Sequence, residues 1–253
     1  MHTTAHTEHG TAPATSAPHA STPAPSRHDG YLGIHKALRL FMTDTLTRVG
    51  RTDPGDDAEV HSTLEQVRDL LGLCQLHVKD ENDFLHPALE RARAGSAARA
   101  QQEHVQHLEA IHDLGDLAGL IADTRDTARA AAPARLYRAM ALFVAENLEH
   151  MHLEETEHNA VLWAHYSDAE LLGIEHALVA SIPPQAMVKA LYWFMPALNA
   201  PERAAMLQGM QRGMPPEAFL GIVDIARRTL AGSDFAKLAR ALGLPPVPGL
   251  AAA

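Results

Sequence analysis

Two glutamates in this chain stand where a helix places its buried side chains. Glu81 follows His77 by four residues in Gln75-Leu76-His77-Val78-Lys79-Asp80-Glu81, and Glu154 follows His150 by four in Glu149-His150-Met151-His152-Leu153-Glu154. On a helix, positions i and i+4 share one face. The face through the first pair reads Leu64, Val67, Leu70, Cys74, His77, Glu81, Phe84, Ala88. The face through the second reads Leu136, Met140, Phe143, Asn147, His150, Glu154, Val161. A carboxylate on an apolar stripe is costly to bury unless something pairs with it. Imidazole nitrogen with carboxylate oxygen is the donor set of a divalent iron, manganese or zinc ion. Any fold for the chain must therefore give these carboxylates partners.

Two further histidines lie on apolar stripes. A helix over 30–49 carries Tyr31, His35, Leu38, Met42, Leu46 and Val49 on one face; a helix over 97–123 carries His104, Leu108, Ile111, Gly115 and Ala118. With helices over 58–93 and 133–165, the pattern is an internal repeat: one histidine, then His-x-x-x-Glu, given twice. His35 to His77 spans 42 positions and His104 to His150 spans 46. Alanine and leucine dominate, aromatics make up only 5%, and no run alternates β-branched with polar residues, so the class is all-α. Short connections make sequential helices antiparallel neighbours, which predicts an up-down-up-down four-helix bundle. Pro87, deep in the second helix, is expected to kink it.

The chain divides by composition. Residues 1–28 are Ala, Pro, Thr, Ser and His with almost no large apolar side chains, so disorder is expected there. The bundle occupies 29–166. Ser167-Asp168-Ala169-Glu170 is a capping box opening a fifth helix. Helices over 185–198, 201–212, 216–230 and 234–242 complete a small helical region at 167–245, followed by a frayed tail at 246–253. The run Tyr192-Trp193-Phe194-Met195-Pro196 is expected to dock this region on the bundle or on a second subunit, so a homodimer is an open option; a lid over the site is the alternative.

A formal net charge of −10 argues against nonspecific nucleic-acid binding. One cysteine allows no intramolecular disulfide, and no apolar run reaches the ~18 residues of a membrane span. A cytoplasmic location is expected. Neither G-x-S-x-G nor a glycine-rich phosphate loop is present, and no catalytic residue is assigned.

His35, His77, Glu81, His104, His150 and Glu154 thus offer four imidazoles and two carboxylates, with His158 as a spare ligand four residues beyond Glu154. Two octahedral ions need about twelve positions, and this set with a bridging oxygen fills about ten. The inventory suits a dinuclear site with open positions, not a closed tetrahedral zinc site. His61, His86, His107, His112, His152 and His165 are expected to be solvated or to support the ligands. A ferritin-like site would need a glutamate on the first helix, which has none.

The pattern resembles the hemerythrin-like, or HHE cation-binding, proteins over about residues 30–165. Phe84-Leu85-His86-Pro87-Ala88-Leu89-Glu90 is similar to that family's Leu-Phe-Pro-x-Leu-Glu signature, and His150-Met151-His152-Leu153-Glu154-Glu155 to its second signature. The C-terminal Met195-Pro196-Ala197-Leu198-Asn199 also looks like an extension found on some bacterial members. The resemblance implies two non-haem iron ions, in preference to manganese or zinc, that bind O2, NO or peroxide or sense iron and oxygen. The family's oxygen carriers have His-x-x-x-His on the third helix, whereas Leu108 stands four residues after His104 here. That departure favours oxidation chemistry, so a di-iron oxidase, oxygenase or peroxide-removing enzyme is the alternative to a carrier or sensor.

Overall fold

The computed structural model describes residues 27–123 and 132–245, and among these every regular element is helical. The expected tails at 1–26 and 246–253 lie outside the described residues. The first long segments are α1 (Leu32–Arg51), α2 (Asp57–Asp80), α3 (His86–Ala92), α4 (Ala98–Asp123), α5 (Ala132–Leu153) and α6 (Asn159–His165). α2 passes into α3 through a π-helical turn at Glu81–Leu85, and α5 into α6 through another at Glu154–His158. The helices expected over 58–93 and 133–165 are therefore each interrupted by one wide turn that begins at the site glutamate.

Pro87 gives the first turn a physical cause. Proline lacks an N–H, and its ring crowds the carbonyl four residues back. A widened turn just before it relieves that crowding, and the His86 N–H reaches back to the Glu81 carbonyl instead. The expected disturbance at Pro87 is thus a π turn in a continuing helix. α2 starts on Asp56, whose carboxylate accepts from the Ala58 and Glu59 backbone N–H groups.

α1 packs against α2 and α5, and α4 packs against the same two helices. Their core includes Leu38, Met42, Val67, Leu70, Ile121, Leu136, Met140 and Phe143. Arg48 near the end of α1 donates to Ser62, Thr63 and Gln66 near the start of α2, while His35 near the start of α1 meets Glu81 just past the end of α2. These two helices therefore run in opposite directions.

The C-terminal helices are α7 (Asp168–Ser181), α8 (Pro184–Ala197), α9 (Ala200–Gly213), α10 (Pro216–Thr229) and α11 (Gly232–Ala241). The capping box at Ser167 and Glu170 forms as expected, and Asn199 with Glu202 makes a second one. α8 docks on α1: Trp193 stacks on Phe41 with ring centroids 3.9 Å apart, and Phe194 lies against Gly33. Lys36 pairs with Glu202, and Lys189 with Asp69. The other side of α8 sends Leu191 and Met195 into a separate core with Leu207, Phe219, Val223 and Phe235. The apolar run at 192–196 thus docks this region on the bundle.

Arg27 and His28, expected in the disordered tail, are held instead. Arg27 donates to the Trp163 and Tyr166 carbonyls and pairs with Asp168, and the Trp163 indole donates to the His28 carbonyl. No helix among the described residues is long and apolar enough to cross a membrane.

Candidate metal centre

The structure gathers all six expected residues in one buried cluster. His35, His77, Glu81 and Glu154 form one group of converging ligand atoms; Glu81, His104, His150 and Glu154 form a second. The two carboxylates are common to both. Glu81 Oε1 lies 3.8 Å from His35 Nε2 and 3.4 Å from His77 Nε2, while its Oε2 lies 3.2 Å from His104 Nε2. Glu154 Oε2 lies 3.4 Å from His35 Nε2, and its Oε1 lies 3.2 Å from His150 Nε2. Each carboxylate therefore offers one oxygen to the His35/His77 side and the other to the His104/His150 side.

Ligands about 2.1 Å from one ion and at right angles about it are separated by about 3.0 Å. Most of the separations above are of that order. Burial makes the same point energetically. His35 Nε2, His77 Nε2 and both oxygens of Glu81 and Glu154 are buried without a hydrogen-bond partner. Each such atom costs about 1–3 kcal/mol if left bare. Six of them, aimed at one another, fit a pair of cations.

The imidazoles are oriented from behind. His35 Nδ1 donates to Glu155 Oε1 at 3.1 Å, and Arg39 grips both oxygens of Glu155. His104 Nδ1 donates to Asn82 Oδ1 at 3.0 Å. His150 Nδ1 donates to Glu103 Oε2 at 2.7 Å, and Arg99 holds the other Glu103 oxygen. With Nδ1 protonated, each ring turns its Nε2 lone pair into the site, the arrangement that fixes metal-binding histidines.

The field of the cluster follows from these contacts. Burial alone pushes the His35 imidazole down, but the carboxylates of Glu154, Glu155 and Glu81 around it outweigh that and carry it up to about 10. His150 is likewise opposed by burial yet raised to about 9 by Glu154 and Glu103. Burial and the charge on Glu81 raise the Glu154 carboxyl, and the neighbouring imidazoles of His150 and His35 bring it down to about 2. Burial dominates at His77 and lowers it to about 4. A site so rich in negative oxygen gathers protons when it has no cation.

Among the described residues, three further histidines are buried. His158, the spare ligand, lies 2% exposed, with its Nδ1 3.1 Å from the Tyr31 hydroxyl and 4.0 Å from Glu154 Oε1. His107 is buried edge-on to His150, not solvated beside its helix. His86 is also buried, stacked on His104 at 4.8 Å, with neither ring nitrogen partnered. His86, Glu154 and His158 form a third group of converging ligand atoms. His61, His112, His152 and His165 stay exposed, as expected. His86 escaped the α-helical reading because the π turn advances it by one residue; Pro87 beside it was the available signal.

Cys74, one turn before His77, is a buried core thiol pushed up to about 12 by burial, and so is chemically inert. Comparison with family models, with curated proteins and with solved structures gave no match for this chain.

Proposed function

We propose that the chain is a hemerythrin-like non-haem di-iron protein that binds O2 or a related small molecule, or senses iron and oxygen. The observation that carries this reading is the straddling of two imidazole pairs by Glu81 and Glu154, with one oxygen of each on either side. In the proposed architecture α1, α2, α4 and α5 form an up-down-up-down bundle. It is supported by the alternation of the ligands, which come near the start of α1, the end of α2, the start of α4 and the end of α5.

Bound iron would supply the ligand-binding and redox chemistry. His35 and His77 would hold one ion, His104 and His150 the other, and the two carboxylates would join them. Glu155, Glu103 and Asn82 fix ring orientation. Tyr31, Leu85, Ala88, Leu89, Val161, Leu162 and Leu171 form an apolar cluster near the cluster of ligands that keeps bulk water out. His77 is the most open of the six side chains at 11%, against 4% or less for the others. Such enclosure suits a diatomic or peroxide-sized ligand over a bulky organic substrate.

A second reading, a di-iron oxidase, oxygenase or peroxide-removing enzyme, is favoured by the buried Tyr31 hydroxyl on His158, a proton-bearing pair beside Glu154. Exposing the iron-loaded protein to air while recording its visible spectrum separates the two. A stable, reversible change marks a carrier or sensor; a transient that decays to an oxidised resting form marks an enzyme. A spectrum that never responds to O2, NO or peroxide contradicts both.

A further inference from the structure

The two halves of the bundle give the same ligand order, and they differ at one end of the site. His77 corresponds to His150, and Glu81 to Glu154. Five residues after Glu81 comes His86; five residues after Glu154 comes Asn159, and the second extra imidazole, His158, comes at four. The π turns that start at the two glutamates bring these unmatched histidines inward together. His86 and His158 meet edge to face, with ring centroids 5.8 Å apart. Both lie with Glu154, while among the described residues no equivalent pair accompanies Glu81.

Neither histidine is needed by the two imidazole pairs already described. His86 is 1% exposed, and both its Nδ1 and its Nε2 lack any hydrogen-bond partner. A core imidazole that only fills space is normally satisfied by a carbonyl, a hydroxyl or a water. His158 is set in place through its 3.1 Å contact with the Tyr31 hydroxyl. Two imidazoles and one carboxylate make a known donor set for divalent iron.

Resting on the di-iron reading above, we propose that His86, His158 and Glu154 form a third cation position that adjoins the dinuclear pair and shares Glu154 with it. It binds a divalent transition metal such as Fe(II) through two nitrogens and one oxygen. It is the weakest of the three, because its only carboxylate is shared and two cations already lie beyond it. An ion at this position is held more weakly than the inner pair and is the one a chelator removes.

The test is an anaerobic Fe(II) titration of the full chain, with bound iron counted before and after passage over a chelating resin. The expected result is three ions per chain at excess Fe(II), with two retained after the resin. His86→Ala and His158→Gln each saturate at two, still retained, and His112→Ala, which alters an exposed histidine, still reaches three. Circular dichroism checks that each variant is folded. Wild-type saturation at two, or a third ion insensitive to both His86→Ala and His158→Gln, overturns the third position and leaves the dinuclear reading intact. Loss of a resin-resistant ion in His86→Ala and His158→Gln would place these residues in the inner pair and also overturns it. No retained iron in the wild type overturns the dinuclear reading itself.

Discussion

His104 Nε2 and His150 Nε2 face each other at 3.0 Å in the buried centre of the bundle. Each ring donates its Nδ1 proton outward, to Asn82 and Glu103, so both lone pairs point at the same space. Two such lone pairs repel unless a cation or a proton lies between them. Removing the outward acceptor should free the ring and spoil this convergence. Glu103→Ala is predicted to weaken metal affinity about 10- to 100-fold with little change in fold. Competition against a chelator of known affinity measures it, and an unchanged affinity would show that Glu103 does not orient His150.

Arg39 acts on the site only through Glu155, whose two oxygens it holds at 2.5 and 2.9 Å. Arg39→Ala and Glu155→Ala should therefore each weaken metal binding, Glu155→Ala more so. The double variant should be no worse than Glu155→Ala alone, since residues that act as one unit are not additive. Strictly additive losses in the same chelator competition would mean that Arg39 has its own route to the centre.

The metal-free protein should be most stable near pH 6.5. His35 and His150 are raised to about 10 and about 9, so their contribution is complete below pH 6.5 and is lost as pH rises through those values. His77, His86 and His107 are lowered to about 4, mainly by burial, so the unfolded chain takes up more protons and stability also falls as pH drops from 6.5 towards 4. Bound cations replace the protons on His35 and His150 and favour the folded state. Thermal midpoints of the metal-free protein should therefore decline between pH 7 and pH 9, and those of the loaded protein should not. Parallel pH profiles for the two forms would contradict the assignment of His35 and His150 as ligands.

The C-terminal region offers a control outside the cluster of ligands. Arg203, 4% exposed, donates to the carbonyls of Met195 and Leu198 where α8 gives way to α9. Arg203→Ala leaves both carbonyls unpaired and should cost about 2–3 kcal/mol by urea unfolding. Metal content should stay at the wild-type value. A loss of metal would show that this joint also braces the site through α8 and α1.

The helices and the six converging residues could be read from the sequence because both follow one periodicity. Glu81 and Glu154 fall on apolar stripes that run through α2 and α5, and a buried carboxylate demands partners whatever the fold. The short helices after Tyr166 were legible from Ser167, Asn199 and the prolines that open α8, α9 and α10. His86 was not, because the 3.6-residue period continues through Leu85 and only a π turn brings position 86 inward. His107 was missed for another reason: α4 is regular, and His104, His107, Ile111 and Leu114 share its buried face, whereas the expected stripe put Leu108 there, which is exposed. The anchoring of Arg27 and His28 depends on Trp163, Tyr166 and Asp168, about 140 residues away, which no local pattern announces.

The most direct test of the dinuclear centre is the iron content of the untagged protein after anaerobic loading and passage over a chelating resin. Two ions per chain are expected in the wild type. His77→Ala and Glu154→Ala, each shown to be folded by circular dichroism, should retain fewer, with Glu154→Ala close to none because its carboxylate serves both ions. No retained iron in the wild type, or two ions retained in both variants, would contradict the dinuclear centre.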